Sequence, residues 1–363
     1  QDLTVVPTPQ VPTVAIVVDN SSSMYEPRAE LWDRLYDAMM NPTTGAIKPL
    51  EGKVRFGFSS FRSPQSTSVP ETNDACAQIV NVPYALDNFD EINTVYQGVG
   101  LDGRRPAGCG ATPNASGCGE TSWETPTGHS LRRIAAALGT FTADPPGKKY
   151  MLFVTDGTPN TCQVANPNCG QDLALKAIQD AQAAGIGTFV IGIGDILATN
   201  SGCNTGSMRC GRDHLQDIAN AGAGQPVAPP PMAYWYEQCA TIQSGTSPGT
   251  PVATYAASGQ TPGTATYYTA MSAAELRTAL TTLLTDVVSC TIELDATVNA
   301  TADPGLARVT LAGTAVPYNT ADGWILETTR DKITLQGAAC VTFRGGASVN
   351  VVFPCQNGRP IGT

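Results

Sequence analysis

Residues 14–24 read VAIVVDNSSSM, five apolar residues followed at once by an aspartate and a run of serines. The apolar part does not alternate. It therefore reads as a strand buried on both faces, the kind found in parallel sheets that helices cover from either side. Its polar end is less expected. Asp19, Ser21 and Ser23 are two residues apart, so in a chain leaving a strand their oxygens can point to one side and converge. Converging hard oxygen donors suit a hard cation. The same residue types also build ordinary polar turns, and this stretch alone leaves both readings open.

Two further runs share the character of the first, YMLFVT (150–155) and IGTFVIGIG (186–194). Helical patterns lie around them. In HSLRRIAAALGTF, Leu131, Ile134, Ala135 and Leu138 recur at i, i+3, i+4 and i+7, and QDLALKAIQDAQAAG ends on Gly185, a suitable helix stop. GKVRFGFSSF (52–61) alternates and is placed near the sheet edge. Strands alternating with helices predict an α/β, doubly wound, mostly parallel open sheet over residues 11–289.

Such sheets bind ligands at the carboxyl ends of their strands, beside the point where strand order reverses. YMLFVTDG delivers Asp156 to the edge that carries Asp19, and WETPTGHSL sets Thr125 and Thr127 just before a helix. Oxygen donors thus come from three separate loops.

Residues 1–10 read as an N-terminal extension. Residues 62–124 and 222–265 are rich in Gly and Pro and read as surface insertions. The second holds Tyr234, Trp235 and Tyr236, which suit a loop anchor better than a contact patch. SAAELRTALTTLLTDVV (272–288) opens with Ser272 and Glu275 in capping-box spacing and places Leu276, Leu280, Leu283, Leu284 and Val287 on one face. Beyond residue 290 the period becomes two. TIELDATV, ARVTL, KITLQ and SVNVVF predict half-buried strands, roughly six in a small β-sandwich or barrel over residues 290–363.

The chain has 363 residues, 42% of them hydrophobic, and a net charge of −10 from 21 Lys and Arg against 31 Asp and Glu. No dense basic run is present, so nucleic acid is not expected as a partner. Eleven cysteines stand beside two histidines, and no CxxC pair occurs. Disulfides in an oxidising compartment fit better than zinc. Cys109 with Cys118, Cys162 with Cys169, and Cys203 with Cys210 bracket short loops. Cys290, Cys340 and Cys355 are placed at strand ends, where one disulfide can tie the edges. Spacing does not fix these pairings, and the odd count leaves one thiol over. No apolar stretch reaches the about 18 residues that span a bilayer. The amino terminus lacks the regions of a signal peptide, which suggests that Gln1 follows a processed leader.

DNSSSM, ETPTG and VTDG, in that order and context, resemble the three loops of the von Willebrand factor A domain and its metal-ion-dependent adhesion site. The resemblance covers about residues 11–289. It implies that Asp19, Ser21, Ser23, Thr125 and Asp156 hold a divalent cation, Mg²⁺ first, with Mn²⁺ or Ca²⁺ as alternatives. Ser22 stands where many members have glycine. Asn20, Ser22, Gly157 and Thr158 are candidates for contact with a ligand. Neutral hydroxyl ligands leave the ion electrophilic, so a carboxylate from a protein or polysaccharide partner can complete its octahedron. The alternative is a structural ion that only fastens loops.

The segment after residue 290 adds a likeness to bacterial, especially myxobacterial, surface proteins, gliding-motility adhesins among them. The expectation is a non-enzymatic adhesin, extracellular or on the cell surface, with outer-membrane association open. A second possibility is a structural subunit of a filament, appendage or envelope complex. A metal-dependent hydrolase is the least favoured. The G-x-S-x-G pattern occurs only as GTSPG (245–249), in a breaker-rich stretch with no strand or helix pattern around it and no histidine-base motif, and no G-x-x-x-x-G-K-[ST] loop is present. His129 is expected to be solvated on a helix, and His214 has no partner motif.

Overall fold

Two short strands, β1 (Leu3–Val5) and β2 (Pro7–Pro9), precede the run at Val14, and they do not belong with it. The computed structural model describes residues 3–5, 7–9, 11–25, 31–63, 76–103, 125–161, 167–197, 209, 211–229, 239, 250–270, 272–294, 297–299, 303–344 and 347–353. It divides into two units. One comprises Thr13–Phe141 and Lys149–Thr281, the other Gln1–Pro12, Thr142–Lys148 and Thr282–Thr363.

The first unit is built on β3 (Thr13–Asp19), every residue of which is buried. With β4 (Arg55–Arg62), β5 (Gln78–Ala85), β6 (Lys149–Thr155), β7 (Ile186–Ile193) and β8 (Tyr268–Ala270) it forms a six-stranded sheet of order β5-β4-β3-β6-β7-β8. All neighbours are parallel except the β4–β5 pair. From β3 the chain moves outward through β4 to β5, and from β6 it moves outward the other way. Strand order therefore reverses between β3 and β6, as the doubly wound reading requires.

Helices cover both faces. α1 (Leu31–Met39) and α2 (Phe89–Gly103) lie on one side, where Trp32 stacks on Tyr96 and Tyr96 meets Phe58 of β4. α3 (Thr127–Thr140), α4 (Pro167–Ala183) and α5 (Gly211–Gly222) lie on the other, sharing a core with Ala15, Val17, Met151 and Phe153. All four apolar positions that defined α3 in the sequence are buried. α4 stops as expected, with Gly185 at φ +80°. α6 (Ala273–Val287) begins with the expected reciprocal cap: Glu275 N–H donates to Ser272 Oγ and Ser272 N–H to the Glu275 carboxylate, each at 3.2 Å.

Two expectations change, and the placing of GKVRFGFSSF near the sheet edge holds. Part of the region read as an insertion at 62–124 is core fold, because residues 78–85 are β5 and residues 89–103 are α2. β4, second from the edge with β5 outside it, lies near the edge as expected. Nor is all of 222–265 surface decoration. Val227, Ala253 and Ala256 are buried, and side chains of α4 and α5 hold the segment down by its backbone. The Asp172 carboxylate accepts from Val252 N–H and Ala253 N–H, Gln179 bonds both backbone groups of Thr254, and Asn220 bonds Gly263 O and Ala265 N–H. The aromatic triplet at 234–236 lies outside the described residues.

The second unit is a β-sandwich. One antiparallel sheet runs β1-β14-β10-β11, the other β12-β13-β9-β2, with β9 (Thr291–Leu294), β10 (Arg308–Leu311), β11 (Thr314–Val316), β12 (Trp324–Leu326), β13 (Lys332–Leu335) and β14 (Val349–Phe353). The two sheets share one core around Ile292, Val309, Leu311, Trp324, Ile333, Val351 and Phe353. The six strands expected after residue 290 are joined by two from the amino terminus. Residues 3–5 and 7–9 are thus sheet partners of β14 and β9 rather than an extension, and the α/β unit is inserted in sequence between β2 and β9.

Cys290 bonds to Cys340, with Cα atoms 5.5 Å apart. Cys340 is not at a strand end as expected but in a short helix, α7 (Gly337–Arg344). Cys169, expected to close a small loop with Cys162, bonds instead to Cys239, 70 residues away. It sits in the first turn of α4, fully buried with Cys239 in one cluster against Leu173. Cys76 is also disulfide-bonded. Cys109, Cys118, Cys162, Cys203, Cys210 and Cys355 lie outside the described residues.

Candidate metal centre

β3 and β6 flank the strand-order reversal, and their carboxyl ends deliver the first and third loops side by side. Asp19, the last residue of β3, is 0% exposed. Its Oδ1 accepts Ser21 N–H at 2.9 Å and its Oδ2 accepts the Thr155 hydroxyl at 2.8 Å. These bonds fold the chain back over the strand end. A 3-10 turn, Ser22–Tyr25, then closes the loop, with Met24 N–H on Ser21 O at 3.2 Å and Asn20 N–H on Phe61 O at 2.8 Å.

The hydroxyls converge as the spacing predicted. Ser21 Oγ and Ser23 Oγ lie 3.1 Å apart, and Ser23 donates to Asp156 Oδ1 at 3.0 Å. The third loop is fixed from below by Ile196 N–H on Asp156 O at 3.0 Å, and it is tied to the second loop by Asn160 N–H on Thr125 O at 2.8 Å. Thr125 is itself buried just before α3. A Cβ placed on Gly157 would lie 3.7 Å from Thr125 Oγ1 and 3.9 Å from Ser23 Oγ, so both hydroxyls face that glycine. The bare Cα of Gly157 leaves space that a larger residue would take from the donors.

All five sequence-predicted donors are therefore gathered by three loops. Asn20 is buried, with its carboxamide oxygen accepting from the Tyr25 hydroxyl. Gly157 and Thr158 are half-buried beside the donors, whereas the side chain of Ser22 lies outside the described residues.

Asp19 is the fully buried carboxyl of this group. Burial pushes the Asp19 carboxyl above its ordinary range, against the opposing pull of the Ser21 and Thr155 hydrogen bonds. A buried carboxylate held above its usual range gains from a nearby positive charge. The donors are all oxygens, which suits Mg²⁺, Mn²⁺ or Ca²⁺. Among the described residues, no group of three or more His, Cys, Asp or Glu side chains gathers as a softer or more highly charged site would require.

Sequence reasoning missed Thr155, whose hydroxyl anchors Asp19. Its signal was a lone hydroxyl at the end of an apolar strand. The two histidines are not solvated: His129 is buried with Nδ1 3.2 Å from Arg132, and His214 is 1% exposed. Burial, with Arg209 adding a like charge, pushes His214 down to about 3, so it is neutral at pH 7.

No protein-family description and no curated protein sequence matches the chain. Solved structures do align with it. The pilus adhesin SpaC from Lactobacillus rhamnosus GG is 14% identical over 95% of this chain and 39% of its own, with a TM-score of 0.45. Proximal thread matrix protein 1 from the mussel byssus, with a zinc-occupied MIDAS motif, is 16% identical over 81% of this chain and 52% of its own, with a TM-score of 0.35. The manganese-loaded Plasmodium vivax TRAP protein is 14% identical over 67% and 77%, with a TM-score of 0.36. The chain spans about two fifths of the length of the pilus adhesin it aligns with. Among the described residues, no helix is long and apolar enough to cross a membrane.

Proposed function

We propose that this chain is a non-enzymatic binding protein of the cell surface or extracellular space, which engages an acidic group of a protein or polysaccharide through a divalent cation. The observation that carries this reading is the convergence of Ser21, Ser23, Thr125 and Asp156 above a fully buried Asp19, at the strand-order reversal of a doubly wound sheet. Ser21, Ser23 and Thr125 supply neutral oxygens directly. Asp19 and Asp156 take a direct position or hold the ion's waters. With few charges in the inner set, the ion keeps enough positive field to draw in an outside carboxylate. Mg²⁺ fits best, because it prefers six oxygens and keeps exchangeable water. The Cys169–Cys239 and Cys290–Cys340 disulfides fit an oxidising compartment.

The test is retention of the chain on a carboxylated surface and on the same surface converted to amide, with Mg²⁺ and after chelation. Retention that needs both carboxylate and ion, and that Asp19→Ala abolishes without unfolding, supports the proposal. Retention indifferent to chelation rejects it. An ion that binds while the two surfaces hold the chain equally points to the structural-subunit reading.

A further inference from the structure

The first metal loop rests on a column of aromatic rings. Tyr25, which ends the 3-10 turn after Ser23, packs its ring 5.2 Å from that of Trp32 in α1. Trp32 is 2% exposed and stacks on Tyr96 of α2 at 4.3 Å, and the Tyr96 hydroxyl donates to Trp32 O at 2.9 Å. Tyr96 in turn meets Tyr36 at 5.8 Å and Phe58 of β4 at 5.5 Å. These contacts fix the place of the Tyr25 ring. Its hydroxyl donates to Asn20 Oδ1, which returns to the residue beside Asp19.

That bond closes a ring of chain from residue 20 to residue 25 with Ser21 and Ser23 inside it. Asn20 is held on the far side by its N–H on Phe61 O, so one end of the ring is anchored to β4 and the other to the aromatic column. A serine hydroxyl on an untethered loop would otherwise sample several rotamers and backbone states, and ordering them costs free energy at the moment an ion binds. Resting on the metal reading above, we propose that Tyr25 is a positioning residue that pre-organises Ser21 and Ser23 for the cation by clamping Asn20 from the aromatic column. Its ring supplies the anchorage and its hydroxyl sets the loop.

The two parts can be separated. Tyr25→Phe keeps the ring against Trp32 and removes only the hydroxyl, while Asn20→Ala removes the acceptor and keeps the backbone N–H. Mn²⁺ binding to the whole chain is followed by calorimetry, with melting temperature measured alongside. The expected result is one Mn²⁺ site in the natural chain, weakened about three- to tenfold by Tyr25→Phe, the range one hydrogen bond supplies, with the melting temperature lowered by no more than about 2–4 °C. Asn20→Ala weakens it similarly, and the double variant is no weaker than the worse single, because both changes remove one interaction. Tyr25→Phe binding Mn²⁺ as tightly as the natural chain overturns the inference while leaving the metal site standing, and so do losses that simply add. No Mn²⁺ binding by the natural chain overturns the metal reading itself, and this inference with it.

Discussion

Gly170→Ala should damage the metal site although residue 170 offers it no donor. Gly170 lies in the first turn of α4, and a Cβ there would stand 2.3 Å from Pro159 O, 2.6 Å from Pro159 C and 3.0 Å from Asn160 N. These are backbone atoms of the third loop, so no side chain can swing aside. Restoring ordinary contact requires about 1 Å of separation. α4 resists moving, because the neighbouring Cys169 is bonded to Cys239 and Asp172 is held by Val252 N–H, Ala253 N–H and the Tyr255 hydroxyl. It also meets α3 at near-minimal distance, since a Cβ on Gly128 would lie 2.6 Å from the Leu173 backbone. The loop therefore yields. Its bond from Asn160 N–H to Thr125 O is lost, and Asp156 shifts relative to Ser23. Overpacking costs about 1–3 kcal/mol and the lost bond about 1 kcal/mol, or roughly 2–4 kcal/mol together. At about 2–4 °C per kcal/mol, the melting temperature falls by about 10 °C. Mg²⁺ affinity measured by calorimetry falls at least about tenfold, since 1.4 kcal/mol suffices for that. Gly98→Ala is the control: this exposed glycine of α2 has open space around it, and Ala there should stabilise by about 0.5–1 kcal/mol without touching affinity. A Gly170→Ala chain that melts and binds Mg²⁺ like the natural one would refute the reasoning.

Two further predictions concern stability. Replacing Cys290 and Cys340 by Ser opens a cross-link with a sequence separation of 50, worth about 4 kcal/mol by loop entropy, so urea should unfold the β-sandwich at a lower midpoint while the Mn²⁺ site is retained. His214 is neutral in the fold because burial, with Arg209 beside it, holds it near about 3, against 6.5 when unfolded. Its contribution is fully present above pH 6.5 and is lost as pH falls, because the unfolded chain takes up the proton first. The loss runs at about 1.4 kcal/mol per pH unit between pH 6 and pH 4, and denaturant midpoints for His214→Gln should show a flatter slope over that window.

Much of this architecture is legible in the sequence because it is local. VAIVV, YMLFVT and IGTFVIGIG are apolar on both faces and can only be interior strands, and Ser272 with Glu275 announces a helix start that the fold realises. The candidate site is legible for the same reason. Three short polar loops each follow or precede a strongly patterned element, so Asp19, Ser21, Ser23, Thr125 and Asp156 fall at one sheet edge once the sheet is drawn. What stayed hidden is non-local or weakly patterned. β5 is a half-exposed edge strand with Val82 as its buried hydrophobic residue, and it lies in a breaker-rich region that conceals it. α2 did carry a stripe, Phe89, Ile92, Tyr96 and Val99, and all four are buried. β2 contains Pro7 and Pro9, which argue against a strand and are tolerated here because β2 is an edge. Its partner β9 lies more than 280 residues further along the chain, a pairing that no local pattern encodes. The same holds for Cys169 and Cys239. Thr155 and Tyr25 act through side-chain contacts that form only in the folded chain, and composition leaves no trace of those.

The central claim is that these oxygens hold a divalent cation. Anomalous diffraction from crystals of the chain grown with Mn²⁺ tests it most directly, because the ion's position is read without reference to any partner. The account predicts one strong peak at the carboxyl ends of β3 and β6, within about 2–2.5 Å of Ser21 Oγ, Ser23 Oγ and Thr125 Oγ1 or of waters held by Asp19 and Asp156, and its absence from Asp19→Ala crystals. A site that stays empty at millimolar Mn²⁺, or a peak that persists unchanged in Asp19→Ala, would contradict it.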